Sequence, residues 1–175
     1  MSEILGALFK YLLAIIGIAA VVVVLYEALS SNKTSTAVTN ITQMQANIAQ
    51  LYAGTSATTD TLTTASALIG AGVVPSSMVS GSNIVDPWGQ TDTVGTPATP
   101  AVAQITFPDV PNSACAKLVM AILPIVSSVI VNGGTPRSNG AAVSDVAGDC
   151  GTAAKGATST TTSSIQINFS STGSN

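Results

Sequence analysis

Two ionisable residues, Glu3 and Lys10, interrupt an apolar N-terminal stretch that carries no other charge before Glu27. A lone charge inside a membrane helix costs at least roughly 2–3 kcal/mol, so such groups normally have a partner. At this spacing both lie on one helical face, about 10 Å apart along the axis. That geometry suits pairing between staggered neighbouring helices; the alternative is that both side chains extend into lipid headgroups. Glu3 and Lys10 are therefore candidates for setting the register of an assembly.

The remaining candidates for chemistry are isolated pairs. Asp86 and Asp92 flank a turn, DPWGQTD, and offer oxygen ligands to calcium, but a turn with an exposed aspartate is the favoured interpretation. Ser113 lies one helical turn before Lys117 without the motif that a nucleophile requires. The chain has no histidine, which removes the commonest general base and metal ligand. We predict no enzyme, no metal site and no cofactor.

Composition narrows the class of protein further. Only 7% of residues are charged while 46% are hydrophobic and 4% aromatic, a balance typical of secreted surface proteins rich in small residues. The net charge is -3 and no run of Lys or Arg occurs, so direct nucleic-acid binding is not expected.

The two cysteines, Cys115 and Cys150, match no metal-binding spacing. In a chain exported past a membrane they should pair as one disulfide. Such a cross-link stabilises a domain by roughly 3–4 kcal/mol on the chain-entropy model.

The apolar stretch itself runs from Ile4 to Leu29. It exceeds the about 20 residues that span a bilayer as a helix, and it is too long for a signal peptide. Gly17, Ala19 and Ala20 would let neighbouring apolar helices approach closely, although a glycine is also ordinary in a membrane span. We expect an uncleaved anchor whose small residues serve helix packing.

Beyond the anchor, apolar residues recur at spacings of three and four, as on one face of an amphipathic helix. They are Val38, Ile41, Met44, Ile48 and Leu51. The helix is expected to end at Ala53, before Gly54, with a break near Ser30 to Lys33 left open.

Shorter elements are predicted after this helix. The first is a helix over Leu62 to Ile69 that ends at Gly70 or Gly72, and the second is a helix capped by Asn112 or Ser113 and ended by Pro124. Strands are predicted near Ile84 and over Gln104 to Phe107, between loops marked by prolines. Two further strands are predicted over Ile125 to Val131 and over Ser164 to Phe169. The predicted fold class is α+β: a long N-terminal helix packed on a small, mainly antiparallel sheet.

Two regions follow from this pattern. Residues 1–30 form the membrane-spanning helix and residues 31–175 a globular domain. Within the domain we distinguish the amphipathic helix 31–53, a helix and loop region 54–112, and a C-terminal region 113–175 bracketed by the two cysteines.

The order of several motifs resembles type IV pilins, and among them the type IVb major pilins of thin conjugative pili. The motifs are IAQLYAG at the end of the amphipathic helix, VVPSSMVSG from Val73 to Gly81, DPWGQ from Asp86 to Gln90 with the only Trp, and FPDVPNSACAKLV from Phe107 to Val119. The bracketing by Cys115 and Cys150 also fits.

The resemblance implies a lollipop fold whose protruding half-helices form a filament core. It further implies insertion in the inner membrane, assembly by a dedicated machine, and a disulfide that encloses a variable region on the filament surface. Such pilins carry a glutamate at the fifth mature position that neutralises a neighbour's N-terminal amine; here Glu3 is the candidate for that role.

The leading hypothesis is a structural subunit that polymerises into an extracellular type IV pilus for adhesion, aggregation or contact between mating cells. Its expected partners are identical subunits, the inner membrane, the assembly machinery and a host or recipient cell surface. One alternative is a secretion-system pseudopilin, suggested by DPWG. The other is a monomeric, membrane-anchored binding module of the periplasm.

Overall fold

The computed structural model describes residues 31–53, 62–97, 100–151 and 161–172. The chain divides into two units, Met1–Lys33 and Thr34–Asn175, and only residues 31–33 of the first unit are described. The second unit has α+β architecture, with helices and an antiparallel sheet contributing to one hydrophobic core. The predicted fold class is confirmed.

Helix α1 is described over residues 31–52, with a turn at Ala53. This segment contains no Gly or Pro, so no residue in it breaks the helical hydrogen-bond ladder. Thr39 and Thr42 donate their hydroxyls to backbone carbonyls one turn earlier, which satisfies them within the helix. No break occurs over residues 31–33, and the predicted continuation towards Ile4 lies outside the described residues.

The buried stripe of α1 differs from the predicted one at both ends: Ala37 is fully buried and Val38 only partly, and Leu51 is replaced by Tyr52. Ile41, Met44 and Ile48 are fully buried as expected, but the next core residue is Tyr52. Leu51 is instead 42% exposed. At 3.6 residues per turn the face centred on these residues continues at position 52, so the step of three residues from Ile48 was the wrong choice.

The short helix α2, Ala65–Gly70, begins after Thr64, whose hydroxyl oxygen accepts a hydrogen bond from a first-turn amide at 3.2 Å. Gly72 follows with φ +68°, a left-handed conformation that glycine adopts without strain. Leu62 was predicted to belong to this helix. It forms an isolated parallel bridge with Ala103 instead, and so lies at the edge of the sheet.

A 3-10 turn, Ser76–Met78, leads into a two-stranded hairpin. Its strands are β1, Val79–Ser80, and β2, Asn83–Ile84. Gly81 lies in the connecting turn at φ +64°. The strand predicted near Ile84 is confirmed, whereas β1 is too short to leave a periodic pattern.

The main sheet has four antiparallel strands in the order β3-β4-β6-β5. Their bounds are β3 Thr93–Gly95, β4 Ala103–Pro111, β5 Ser128–Val131 and β6 Thr162–Phe169. Ile105 on β4 lies opposite Ile167 on β6, and both are fully buried. The inward face of this sheet belongs to the same core cluster as the buried stripe of α1.

Two prolines that were predicted to mark loops lie within β4. The β4–β6 register shifts between Phe107 and Val110, so Pro108 occupies an irregularity in the ladder. Pro111 is the last residue of the strand. Proline lacks an N–H donor and is tolerated at such positions, which explains why the strand continues through both.

Helices α3, Asn112–Ile122, and α4, Val143–Gly151, pack on each other. Pro124 follows α3, as predicted. The predicted cap is wrong: the N-cap residue is Pro111, no side chain caps the helix, and Asn112 is its first residue. Strand β5 is shorter than the predicted 125–131 because the chain first makes a turn hydrogen-bonded back to Ile122.

Candidate functional site

The residues predicted to direct assembly lie outside the described part of the chain. They are Glu3, Lys10, Gly17, Ala19 and Ala20, together with the whole of the predicted anchor. Within residues 31–53, 62–97, 100–151 and 161–172, no helix has both the length and the hydropathy of a membrane span. The roles assigned to these residues stay predictions.

The inner face of α1 is held in register by polar contacts as well as apolar packing. The Gln45 side-chain amide, almost fully buried, donates to the backbone carbonyl of Ser170 at 2.8 Å. Two residues further along α1, Asn47 donates to the carbonyl of Val73 at 3.0 Å. The hydroxyl of Ser77 donates to the Asn40 side-chain carbonyl at 3.1 Å. These bonds tie the helix both to the end of β6 and to the segment that follows α2.

The outer face of α1 over residues 42–51 presents small and polar side chains and one larger apolar side chain, Leu51, to solvent. It comprises Thr42, Gln43, Ala46, Gln50 and Leu51. Between Thr42 and Leu51 this surface carries no charge, so a contact made there with another protein surface leaves no ionic group unpaired.

The disulfide joins Cys115 on α3 to Cys150 on α4, with their Cα atoms 5.9 Å apart. Both cysteines are buried, and among the described residues neither is a free thiol. Since α4 buries only Val146 and Cys150, the covalent bond supplies much of what holds this short helix on α3.

A buried polar network supports the disulfide from the sheet side. Ser163 on β6 is fully buried, and its hydroxyl lies 2.7 Å from the Asn112 side-chain oxygen and 3.1 Å from the carbonyl of Cys150. Asn132 donates to the carbonyl of Asp149 and accepts from the backbone amide of Ser164. The network therefore connects the start of α3, the end of β5, strand β6 and the end of α4.

An ion pair covers the same region at the surface. Arg137 makes a two-point contact with Asp149, through Nε at 2.8 Å and Nη2 at 3.2 Å, and also reaches Asp145 at 3.2 Å. The hydrogen bond with Asp149 raises the pKa of Arg137 above its already high ordinary value, so the side chain stays charged. Backbone hydrogen bonds between Arg137 and Val129 place it beside β5.

The DPWGQTD segment brings Asp86 and Asp92 onto one buried face. The amide of Asp86 donates to the carbonyl of Gln90 at 2.9 Å, and the amide of Asp92 donates to the carbonyl of Ile84 at 2.8 Å. This antiparallel register makes positions 86 and 92 diagonal neighbours on the same face. Both aspartates are 4% exposed. The prediction of a turn with an exposed aspartate was wrong.

The two carboxyls have different surroundings. Oδ1 of Asp86 accepts the backbone amides of Trp88 at 2.8 Å and Gln90 at 2.9 Å. The two oxygens of Asp92 are buried and receive no hydrogen bond from the described residues. Burial, and secondarily the charge of Asp86, raise the pKa of Asp92 to about 9. Asp92 is therefore a neutral acid at physiological pH.

A pre-formed metal centre does not arise from this pair. Within the described ranges, no group of three or more His, Cys, Asp or Glu side chains comes together. Calcium takes 6–8 oxygen ligands, of which two carboxylates supply a minority.

Comparison with known proteins places the chain in a family. A family model described as PilS N terminal matches residues 31–168. The chain belongs to this family. No curated protein matches it. Among solved structures, the PilS-family chain is similar to a type IVb pilin from Salmonella typhi, with TM-score 0.56 and 21% sequence identity. That match covers 78% of this chain and 99% of the other.

Family and fold together confirm the resemblance to type IVb pilins that the motifs had indicated. The matched region spans α1, both disulfide cysteines and most of β6, which are the elements that define the described domain. The family match and the fold support a structural subunit of a type IV pilus.

Several site residues had no recognisable pattern in the sequence. Gln45 sits between core positions of an amphipathic helix and looks like any surface glutamine. Asn132 was predicted only as a turn residue, although its φ of +53° and its two side-chain hydrogen bonds to backbone groups distinguish it. The ion pair of Arg137 with Asp149 depends on the fold of α4, which was not predicted at all.

Proposed function

We propose that this chain is the repeating subunit of an extracellular type IV pilus, polymerised through its apolar N-terminal segment. The observation that supports this most is the family match over residues 31–168 combined with the type IVb pilin fold. The absence of histidine agrees with a structural role, since it leaves few routes to catalysis.

Assembly in this proposal depends on the segment Ile4 to Leu29. A long apolar helix cannot stay in water, so it lies in the inner membrane before assembly and among identical helices afterwards. Gly17, Ala19 and Ala20 let those helices approach closely. Glu3 sets the register by pairing with the N-terminal amine of a neighbour, and Lys10 pairs between staggered helices.

The domain arrangement assigns a role to each region. Residues 1–30 form the filament core, and residues 31–175 form the coat around it. Within the coat, the disulfide-bracketed region 113–175 faces outward and contacts a host or recipient cell in adhesion, aggregation or mating. A dedicated assembly machine in the inner membrane adds the subunits.

Shearing cells that express the chain, followed by negative-stain electron microscopy, tests this function. We expect long thin filaments containing the wild-type chain, and a marked loss of filaments from Glu3→Gln, which removes the charge but preserves the shape. Asp109→Asn is the matched control, because Asp109 is exposed on β4 and the same substitution there should leave filament yield unchanged.

Of two informative results, the first would overturn the proposal and the second would remove only the role given to Glu3. One is wild-type protein that stays monomeric in the membrane fraction, which favours an anchored binding module. The other is filament yield from Glu3→Gln equal to wild type, which removes Glu3 from assembly while leaving the subunit role in place.

A second candidate function, a pseudopilin forming a short periplasmic piston, is favoured by the DPWGQ turn from Asp86 to Gln90. Antibody labelling of intact cells separates the two. Label along surface filaments supports the pilus, whereas label that requires permeabilised cells supports the pseudopilin.

A further inference from the structure

The hairpin over residues 84–92 places two carboxyl groups in the interior of the domain. Both side chains occupy the face that also carries Ile84, a fully buried core residue. Carboxyl groups contribute little to an apolar core and are costly to bury when charged. Two buried carboxyl groups are expected to be neutralised, at least in part, by a positive charge or by a proton.

We propose that Asp86 and Asp92 form a buried carboxyl pair that holds one proton at neutral pH, with Asp92 as the acid and Asp86 as the carboxylate. This proton keeps the 84–92 hairpin packed against the rest of the domain.

Asp86 is the member suited to carry the negative charge. Its Oδ1 accepts two backbone amides from the turn, those of Trp88 and Gln90. Hydrogen bonds to a carboxylate stabilise the charged form. Protonating Asp86 instead would weaken the two bonds that close the turn.

Asp92 is the member suited to carry the proton. Its two oxygens are buried, and no donor among the described residues reaches them. A second anion at this position would meet both the cost of burial and repulsion from Asp86, and these effects raise the pKa of Asp92 to about 9. As a neutral acid, Asp92 avoids the cost of burying a second negative charge on this face.

Among the described groups, no charge other than that of Asp86 acts on Asp92. The remaining charged side chains of the described residues are Lys33, Asp109, Lys117, Arg137, Asp145 and Asp149. Within the described ranges, no lysine or arginine supplies a counter-charge to Asp92, and a metal ion there would lack a third acidic, His or Cys ligand from the described residues.

The sign of the resulting pH dependence is fixed by linkage. Below about pH 4, Asp92 is protonated in both the folded and the unfolded chain and contributes no pH dependence. Between about pH 4 and pH 9 the folded chain retains a proton that the unfolded chain has released, so stability falls as pH rises. The unfolding equilibrium constant then increases by up to about tenfold per pH unit and levels off above about pH 9.

The test is denaturant unfolding of the full-length chain in detergent micelles, with the disulfide intact, across this pH range. Trp88 is the only tryptophan and lies within the hairpin, so its fluorescence reports on the relevant segment. Asp92→Asn replaces the acid with a permanently neutral group of nearly the same shape. We expect this variant to match wild type near pH 4 and to unfold with a constant at least about a hundredfold lower near pH 8.

Asp109→Asn is the control for a lost carboxylate at an exposed position, and we expect its pH profile to run parallel to that of wild type. The proposal is overturned if Asp92→Asn is less stable than wild type at every pH, since Asp92 would then act as an anion. It is also overturned if millimolar calcium, compared with a chelator, stabilises wild type but not Asp92→Asn, which would assign a metal ion to the pair.

Infrared spectroscopy of the wild-type chain tests the proton without any substitution. A protonated carboxyl has a carbonyl stretch separate from that of carboxylates, and we expect it at neutral pH and its loss as pH rises through about 9. Absence of the band at neutral pH would contradict the proposal even if Asp92→Asn failed to fold. Both tests use unassembled subunits, so their outcome is independent of the filament experiments.

Discussion

Ser163 illustrates how single buried polar residues organise the C-terminal region. It lies on β6 but contacts Asn112 at the start of α3 and the carbonyl of Cys150 at the end of α4. Asn132 approaches the same hydroxyl at 3.4 Å. A buried polar group that loses its partner costs more than the hydrogen bond contributed, so such a network is sensitive to the loss of any member.

Replacing Ser163 with Ala should destabilise the domain by about 1–3 kcal/mol, because the hydroxyl is removed while the groups around it stay buried. Equilibrium unfolding of the full-length chain in detergent measures the change. Ser164→Ala is the matched control: Ser164 is the adjacent residue on the same strand, only partly buried, and its network contact uses its backbone amide. The control should stay within about 0.5 kcal/mol of wild type.

At the scale of elements, α1 and β6 are segments with clear periodicity in the sequence. Residues Ile41, Met44 and Ile48 recur at helical spacing on the buried face of α1. Strand β6 alternates between part-buried and buried residues over most of its length. Each pattern has enough turns or residues to determine both the element and the face that enters the core.

Two aliphatic residues on α1 allow a paired measurement of what this face contributes. Ile48→Ala should cost about 2–5 kcal/mol, because Ile48 is fully buried and its removal leaves a cavity. Leu51→Ala should cost under about 1 kcal/mol, because Leu51 is 42% exposed. Unfolding midpoints of the unassembled chain provide the comparison. Equal losses for the two variants would mean that Leu51 is buried in the subunit after all.

At the scale of the whole molecule, the described domain has two surfaces that we expect to face in different directions in a filament. The outer face of α1 should face the filament interior, since the proposed core is built from the N-terminal extensions of these helices. The first residue of α4, Val143, is 63% exposed in the disulfide-bracketed region and should face outward.

Lysine substitutions at these two surfaces test that orientation. Val143→Lys should assemble normally, and its new amine should react with an acylating reagent on sheared filaments. Ala46→Lys places a charge on the outer face of α1 and should reduce filament yield, because an unpaired charge is costly in an interface. Both variants should fold as unassembled subunits, since both positions are exposed. Normal assembly of Ala46→Lys would place that face at the filament surface.

Long periodic elements and cysteine pairing were open to prediction from the sequence alone. The amphipathic helix ending at Ala53, the strand over Ser164 to Phe169 and the pairing of Cys115 with Cys150 all agree with the structure. The motif order also indicated the family. These features depend on local spacing or on the chemistry of two residues, and neither requires knowledge of distant contacts.

The tertiary structure decided what depends on distant partners. Helix α4 contains Gly148 and Gly151 and buries only two side chains, so its stability comes from α3 and the disulfide rather than from helix propensity. Strand β4 passes through Pro108 because the register with β6 shifts there. The local sequence predicts Asp86 and Asp92 to be surface turn residues, yet both side chains are buried in the domain. Local sequence sets the conformation of a segment, but burial and pairing depend on what folds against it, and that is determined only by the whole domain.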